Sequence, residues 1–179
     1  MRALSRAAMV FAAMVMSASA LHAQTSFSAA AGLAMPIGST ADAVKMGYNA
    51  TLGLGIKPPL APIGLRIEGM WNQFDSKGGS KIGTRILAGT ANITLSGAGM
   101  PIPMGYLIGG LGMYNLGVTN WPALAGPKPD AESKVGFNIG VGLNFPLTGF
   151  STYAEARLHI VNTSGSSTKF TPIVFGIKF

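Results

Sequence analysis

The sequence predicts an all-β protein, an eight-stranded antiparallel up-and-down transmembrane β-barrel preceded by a cleaved signal peptide. Charged residues make up only 11% of the chain, against roughly 25% in typical globular proteins, and a water-exposed surface is hard to build from so few charges. Segments of about ten residues that alternate between apolar and small or polar side chains recur between clusters of Gly, Pro, Ser and Asn. The last of these segments ends on an aromatic residue, Phe179.

The N-terminus predicts export. Two arginines within the first six residues precede an apolar run over residues 7–16 and then small residues, which is the pattern of a signal peptide. The apolar run is much shorter than the roughly 20 residues that a transmembrane helix needs. Cleavage is predicted after Ala23, with Ala20 as the alternative. Residues 1–23 are therefore predicted to be a signal peptide for the Sec pathway, and residues 24–179 the barrel domain.

The first four strands are predicted at residues 26–35, 46–56, 63–74 and 83–95. Successive side chains of a strand point to opposite faces, so each segment can be divided into two faces. One face is apolar in all four segments, and the other is small or polar. The apolar faces carry Phe27, Ala29, Ala31, Leu33 and Met35; Tyr48, Ala50, Leu52, Leu54 and Ile56; Ile63, Leu65, Ile67, Gly69 and Trp71; and Leu87, Ala91, Ile93 and Leu95.

The last four strands are predicted at residues 104–116, 134–145, 150–161 and 169–179. In the fifth strand, two sets of residues compete for the apolar face, and the pair Gly109-Gly110 is a candidate bulge that switches the faces. The facing of this strand is left open. The two competing sets are Leu107, Leu111 and Met113 on one face and Tyr106, Ile108 and Tyr114 on the other. Each of the other three strands has one clear apolar face. These faces carry Val135, Phe137, Ile139, Val141, Leu143 and Phe145; Ala154, Ala156, Leu158 and Ile160; and Ile173, Phe175, Ile177 and Phe179.

An even number of strands places both ends of the barrel on one side of the membrane, which is the periplasmic side in outer-membrane barrels. The connections at residues 57–62, 96–103 and 146–149 are then periplasmic turns. The remaining connections, at residues 36–45, 75–82, 117–133 and 162–168, are extracellular loops. The longest is loop 117–133, which combines Trp121 with a Pro-rich stretch and is a candidate contact for an extracellular partner.

Aromatic residues predict two belts, because transmembrane barrels carry aromatic side chains at both membrane interfaces. The aromatic residues near the loop ends of strands are Tyr48, Trp71 and Tyr114, and those near the periplasmic ends are Phe27, Tyr106, Phe145 and Phe179.

The chain resembles the small eight-stranded outer-membrane barrels of the OmpA-like and OmpX-like type. The resemblance covers residues 24–179 and is carried by the signal peptide, the segment 106–114, the regular strand 135–145 and the terminal Phe179. It implies residence in the outer membrane and assembly by the outer-membrane insertion machinery. The implied assembly signal is the apolar face of the last strand, Ile173, Phe175, Ile177 and Phe179.

A soluble barrel of the lipocalin type is the rival fold, since its strands also alternate. Its outer face would have to be the polar one. That face consists mainly of Gly, Asn, Ser and Thr, with four central charges that sum to zero. Such a surface is a poor match for water, which favours the membrane barrel.

Four charged residues form the first candidate site. Arg66 and Glu68 on the third strand and Glu155 and Arg157 on the seventh are predicted to face the lumen from opposite walls at similar heights. Unpaired charges would be costly there, so we expect them to pair across the barrel. The pairs are interpreted as a structural plug, since a barrel of eight strands is just wide enough for side chains to fill. The alternative is a gate in a narrow polar path.

His159 shares the face of Arg157 and is predicted to be a packed lumen residue. A membrane-embedded lipid hydrolase needs a serine beside the histidine, and Ile160 and Val161 follow His159 instead. The chain has no cysteine and only two histidines, one of which, His22, lies in the signal peptide. We therefore predict no metal site, no cofactor and no catalytic residues.

The net charge of +7 falls to +5 when Arg2 and Arg6 leave with the signal peptide. The sequence contains no cluster of Lys or Arg of the kind that binds nucleic acid. The lysines at strand ends are better placed to meet outer-membrane lipid head groups and lipopolysaccharide. The predicted function is a non-enzymatic structural or surface-interaction role in the outer membrane. The alternatives are a narrow pore gated by the Arg/Glu cluster and, less favoured, an envelope lipid-modifying enzyme.

Overall fold

A computed structural model describes residues 24–58, 61–78, 82–97, 104–122, 126–163 and 166–179. The predicted signal peptide, with both candidate cleavage sites and His22, lies outside the described residues.

Eight strands and one short helix make up the described chain. Their bounds are β1 Gln24–Ile37, α1 Ser39–Ala43, β2 Gly47–Lys57, β3 Ile63–Asp75, β4 Gly83–Ser96, β5 Gly105–Thr119, β6 Glu132–Pro146, β7 Ser151–Thr163 and β8 Ser166–Lys178.

The strands form one closed antiparallel barrel in which each strand pairs with its neighbours in sequence and β1 pairs with β8. The predicted number and order of strands are confirmed. We call the end where β1 begins and β8 stops the basal end, and the opposite end the distal end. Closure satisfies the edges that an open sheet would leave unpaired.

Two distal connections are shorter than the sequence predicted. β7 and β8 pair up to Thr163 and Ser166, so most of the predicted loop 162–168 is strand. β5 and β6 also continue past the predicted strand ends, with Leu116 paired to Glu132, which shortens loop 117–133. Pairing with a neighbour extends strands through residues whose own sequence indicates a loop.

The outward face of the barrel is the apolar one. In β2, Tyr48, Leu52 and Leu54 are exposed, whereas Asn49 and Thr51 are buried. The other strands alternate in the same sense. A soluble barrel would have the opposite arrangement, so the facing excludes the lipocalin-type interpretation for the described strands.

β5 runs without the bulge suggested at Gly109-Gly110. It pairs residue by residue with both β4 and β6, so its facing never switches. Leu107, Leu111 and Met113 point outward, and the competing set Tyr106, Ile108 and Tyr114 is buried inside. A Cβ atom at Gly110 would collide with the backbone of β4, so glycine there permits close strand approach.

The assignment of Tyr106 and Tyr114 to the aromatic belts is therefore wrong. Both rings lie in the lumen, where Gly142 and Gly136 on β6 leave the space they fill. The other predicted belt residues do face outward, and they are Tyr48, Trp71, Phe27, Phe145 and Phe179.

The helix α1 lies at the distal end within the predicted loop 36–45, where no helix was expected. The Thr40 hydroxyl accepts a hydrogen bond from the amide of Lys169 (3.0 Å), which ties α1 to β8. Val44 follows the helix, bridges to Ser76 and is buried. Across the described ranges, no helix is long and apolar enough to cross a membrane.

An apolar cluster fills the distal part of the lumen, and we call it the distal cluster. Phe74 and Phe170 meet edge to face inside it, with ring centroids 5.8 Å apart. Its members are Ala34, Val44, Met70, Phe74, Ile86, Ala88, Tyr114, Val161 and Phe170.

Candidate functional site

The lumen is crossed at mid-height by a cluster of four charged residues, which we call the charge ring: Arg66, Glu68, Glu155 and Arg157. β3 and β7 are four strands apart in a barrel of eight, so their inward residues face each other. Arg66 forms a hydrogen-bonded ion pair with Glu155, and Arg157 forms one with Glu68. The structure thus brings the four predicted residues together.

Contacts along each strand close the ring. Arg66 Nε lies 3.0 Å from Glu68 Oε1, and Arg157 Nε donates to Glu155 Oε1 at 2.9 Å. Each carboxylate therefore meets both guanidinium groups. All four side chains are almost completely buried. Two positive and two negative charges balance, and the pairs compensate the loss of hydration that burial imposes.

Neutral side chains complete the shell of the ring. Glu68 Oε2 accepts a hydrogen bond from the Asn92 amide (2.8 Å), and Glu155 Oε2 accepts one from the Tyr106 hydroxyl (2.7 Å). The Arg66 guanidinium carbon also lies 5.8 Å from the ring centroids of both Tyr106 and Tyr153. These contacts hold the charged side chains in single positions.

Buried amides extend this polar layer around the wall. Asn49 donates to Asn72 at 2.7 Å, and Asn138 donates to Asn92 at 2.9 Å. Asn92 and Asn138 lie opposite the apolar faces predicted for segments 83–95 and 134–145, but the sequence alone did not indicate their role. It also did not identify Tyr106 as a partner of the ring. One signal could have done so, because Tyr106 and Tyr114 share a strand face with Gly110 and Gly112, and glycines are typical of the inward faces of the other strands.

His159 lies between the charge ring and the distal cluster. Its Nδ1 atom and the Tyr114 hydroxyl are hydrogen-bonded at 2.8 Å, and its ring stacks on Phe170 with centroids 5.0 Å apart. Nε2 is buried without a hydrogen-bond partner among the described residues. Among the described residues, neither a serine hydroxyl nor a carboxylate is hydrogen-bonded to His159, as a hydrolase of the Ser-His-Asp type would need.

The described part of the chain contains no group of three or more His, Cys, Asp or Glu side chains that could hold a metal ion. Each carboxylate of the charge ring contacts two arginine guanidinium groups, so its oxygen atoms are not available to bind a metal cation.

Below the charge ring, the lumen opens into a cavity of about 500 Å³ at the basal end, which we call the basal cavity. Arg66, Tyr106 and Tyr153 line its inner part, and Lys57 and Lys178 lie nearer the rim. The lumen therefore has three layers: an apolar distal cluster, a polar layer around the charge ring, and an open basal cavity.

Loop 117–133 holds its tryptophan against its own backbone. Trp121 Nε1 donates to the carbonyl of Gly126 at 3.0 Å, and its side chain is half-buried. The exposed part of the described loop is polar and Pro-rich, from Gly126 to Asp130.

A closed barrel of eight antiparallel strands with an apolar exterior is the architecture of the small transmembrane barrels. The solved structures that share this fold include three small outer-membrane barrels of eight strands.

Neisserial surface protein A is similar at 14% identity over 87% of this chain and 97% of that one, with a TM-score of 0.67. Ail, the attachment invasion locus protein of Yersinia pestis, solved with the heparin analogue sucrose octasulfate, is 15% identical over 87% of this chain and 99% of that one, with a TM-score of 0.52. The N-terminal β-barrel domain of Pseudomonas aeruginosa OprF is 15% identical over 88% of this chain and 100% of that one, with a TM-score of 0.51. No protein-family model and no curated protein matches the sequence.

Proposed function

We propose that this protein is a non-enzymatic outer-membrane barrel with a structural or surface-interaction role, and that its charge ring is a plug that holds the barrel walls together. The observation that carries the proposal is the outward face of the barrel. Large apolar side chains are exposed around the barrel, including Leu54, Ile67, Leu111, Ile139 and Phe175. Soluble monomers rarely expose contiguous apolar surface of this extent, whereas hydrocarbon chains solvate it.

The interior supports a structural role. Two obstacles lie in series along the lumen: the paired charges of the ring, and the apolar side chains of the distal cluster. Every ring carboxylate is engaged by both arginines, and Phe74, Phe170 and Tyr114 are fully buried above them. A barrel of eight strands is just wide enough for side chains to fill it or for one small ligand to be held.

A narrow pore gated by the charge ring is the second candidate. It is favoured by one observation, namely that the basal cavity leads directly to Arg66. Opening the ring would leave the distal cluster in place, so conduction would need two separate rearrangements. Single-channel recording in planar bilayers distinguishes the two candidates, because a plugged barrel gives no unitary current steps and a gated pore does.

The proposed partners follow from the outward face and the two ends. Lipid chains and lipopolysaccharide would surround the barrel, with Tyr48, Trp71, Phe27, Phe145 and Phe179 as the proposed belts. The apolar side chains of β8 would present the assembly signal to the insertion machinery. Loop 117–133 would be the extracellular contact. Secretion through the Sec pathway would deliver the chain to this compartment.

Membrane fractionation combined with gel electrophoresis tests the location and the fold together. The protein is expected in the outer-membrane fraction, and its band is expected to migrate differently before and after boiling in detergent. Recovery in a soluble fraction, or identical migration of both samples, would contradict the proposal.

A further inference from the structure

The basal cavity has no part in the proposed structural role. Its volume of about 500 Å³ lies within the range of roughly 300–1,000 Å³ that small ligands occupy in proteins. As far as the described residues show, it is open at the basal rim, and it ends inside the barrel at Arg66 and the rings of Tyr106 and Tyr153. With the charge ring and the distal cluster beyond it, the cavity is a dead end, which suits holding a ligand rather than passing it on.

Among the described residues, the charged side chains that line the basal cavity are all cationic. They are Lys57 on β2, Arg66 on β3 and Lys178 on β8. Lys57 and Lys178 come from the two strands that flank β1, and both occupy inward-facing positions. Lys57, Arg66 and Lys178 therefore bring three charges of the same sign to one cavity.

The acidic residues nearby are already paired. Glu68 and Glu155 balance Arg66 and Arg157 within the charge ring, so among the described residues no acidic side chain nearby is left to balance Lys57 and Lys178. The sequences of the three basal connections, residues 57–62, 96–103 and 146–150, contain no Asp or Glu. A concave site lined by one sign of charge attracts ions of the opposite sign.

Neutral donors accompany the lysines. The hydroxyls of Ser26, Thr94 and Ser96 and the amide of Asn144 line the same cavity. The ammonium group of Lys57 already donates to Ser96 Oγ at 2.6 Å, which holds it at the wall. Such a set of donors suits a tetrahedral oxyanion, because the anion accepts several hydrogen bonds at once and its strongest hydrogen bonds are those from charged donors.

We propose that the basal cavity binds the phosphate group of a small anionic ligand, with Lys57 and Lys178 as its charged donors. The hydroxyl groups of the wall supply the remaining hydrogen bonds, and the rings of Tyr106 and Tyr153 face the rest of the molecule. The phosphate belongs either to a soluble phosphomonoester or to the head group of an anionic phospholipid. Only the side from which the ligand arrives, the periplasm, depends on the proposed location in the outer membrane.

The test uses the protein refolded in octyl glucoside, a detergent without phosphate, and titrated calorimetrically with glycerol 3-phosphate at low ionic strength. We expect saturable binding with one site per barrel, and no binding of glycerol itself. The double variant Lys57→Gln/Lys178→Gln should lose affinity by about tenfold or more, since each charged hydrogen bond contributes that much. The double variant Lys45→Gln/Lys77→Gln removes the same charge from the distal end and should bind as the parent protein does.

Three results would overturn the proposal: no saturable binding to the parent protein, unchanged binding to the Lys57/Lys178 variant, or an equal loss in the Lys45/Lys77 variant. The shift of the unboiled gel band verifies that each variant is folded, and refolding in detergent removes any dependence on cellular assembly. Failure here leaves the fractionation and conductance results untouched, so the two proposals fail separately.

A second measurement identifies the source of the phosphate. The barrel is reconstituted in phosphatidylcholine vesicles that contain equal mole fractions of either phosphatidylglycerol or cholesteryl hemisuccinate, an anionic lipid without phosphate, so that the surface charge that repels the ligand is matched. Glycerol 3-phosphate is titrated into both. Weaker binding in the presence of phosphatidylglycerol assigns the site to a lipid head group. Equal binding in both assigns it to a soluble phosphomonoester.

Discussion

Arg66 of β3 and Glu155 of β7 pair across the lumen of the barrel although 89 residues separate them in the sequence. The same relationship is repeated between Arg157 and Glu68, so each wall supplies one acid and one base to the other. Because both pairs are buried, each charged group depends on its partner. We therefore expect the removal of any single group to be costly, and the proposed plug would act as a brace between the two walls.

The double substitution Glu68→Gln/Glu155→Gln tests the brace. It leaves two guanidinium groups buried without counter-charges, so we expect the free energy of unfolding to fall by about 3–5 kcal/mol. The measurement is urea-induced unfolding in lipid vesicles, followed by tryptophan fluorescence and by the gel band shift.

The matched control is Glu132→Gln at the distal rim. Glu132 also pairs with a cation, Lys134, at 2.9 Å, but its side chain is 69% exposed. Exposed pairs contribute about 0–1 kcal/mol, so the urea midpoint should barely change. Equal midpoints for the double variant and this control would rule out the plug interpretation.

Tyr114→Phe tests the hydrogen bond beside the distal cluster. Removing the hydroxyl leaves Nδ1 of the buried His159 without this partner, and we expect a loss of about 1–3 kcal/mol. Tyr48→Phe removes the same atom from an outward tyrosine that is 65% exposed and should leave stability unchanged. Urea titrations of both variants make the comparison, and a stable Tyr114→Phe barrel would show that the bond contributes nothing.

Local alternation was enough to predict the number of strands, their order and the facing of seven of them. The period of two is a property of each strand alone, so residues such as Leu54 and Thr51 could be assigned to faces without knowledge of their neighbours. The charge ring followed from that facing, together with the position of β3 opposite β7 in a closed sheet of eight.

The orientation of Tyr106 and Tyr114 depends on another strand and could not be derived from β5 alone. Each aromatic ring is as suitable for an interfacial belt as for the lumen. The orientation is decided by Gly142 and Gly136 on β6, which leave space for the two rings, and by the hydrogen-bond partners that Glu155 and His159 supply. The extension of β7 and β8 into the predicted loop 162–168 also depends on another strand, because these residues form strand by pairing with each other.

The glycines opposite the tyrosines give a third prediction. A methyl group at Gly142 would overlap ring atoms of Tyr106, whose hydroxyl is fixed by Glu155. Gly142→Ala should therefore cost about 1–3 kcal/mol, as overpacking does. Gly89→Ala is the control, because a Cβ atom there meets nothing within 4 Å. We expect no loss from it in the same urea titration, and a loss of equal size would assign the effect to the strand backbone instead.

The depth of the apolar band gives a fourth prediction. Ile139 is an outward residue near the middle of β6, and Ile63 is an outward residue at the basal end of β3; both are at least half exposed. If lipid surrounds the barrel, Ile139→Arg should cost about 2–4 kcal/mol, and Ile63→Arg only about 0–1 kcal/mol, since an arginine near the interface reaches water. Refolding yield and urea midpoint in vesicles measure both variants. Equal and small effects at the two positions would mean that the outward face meets water, and would count against the outer-membrane proposal itself.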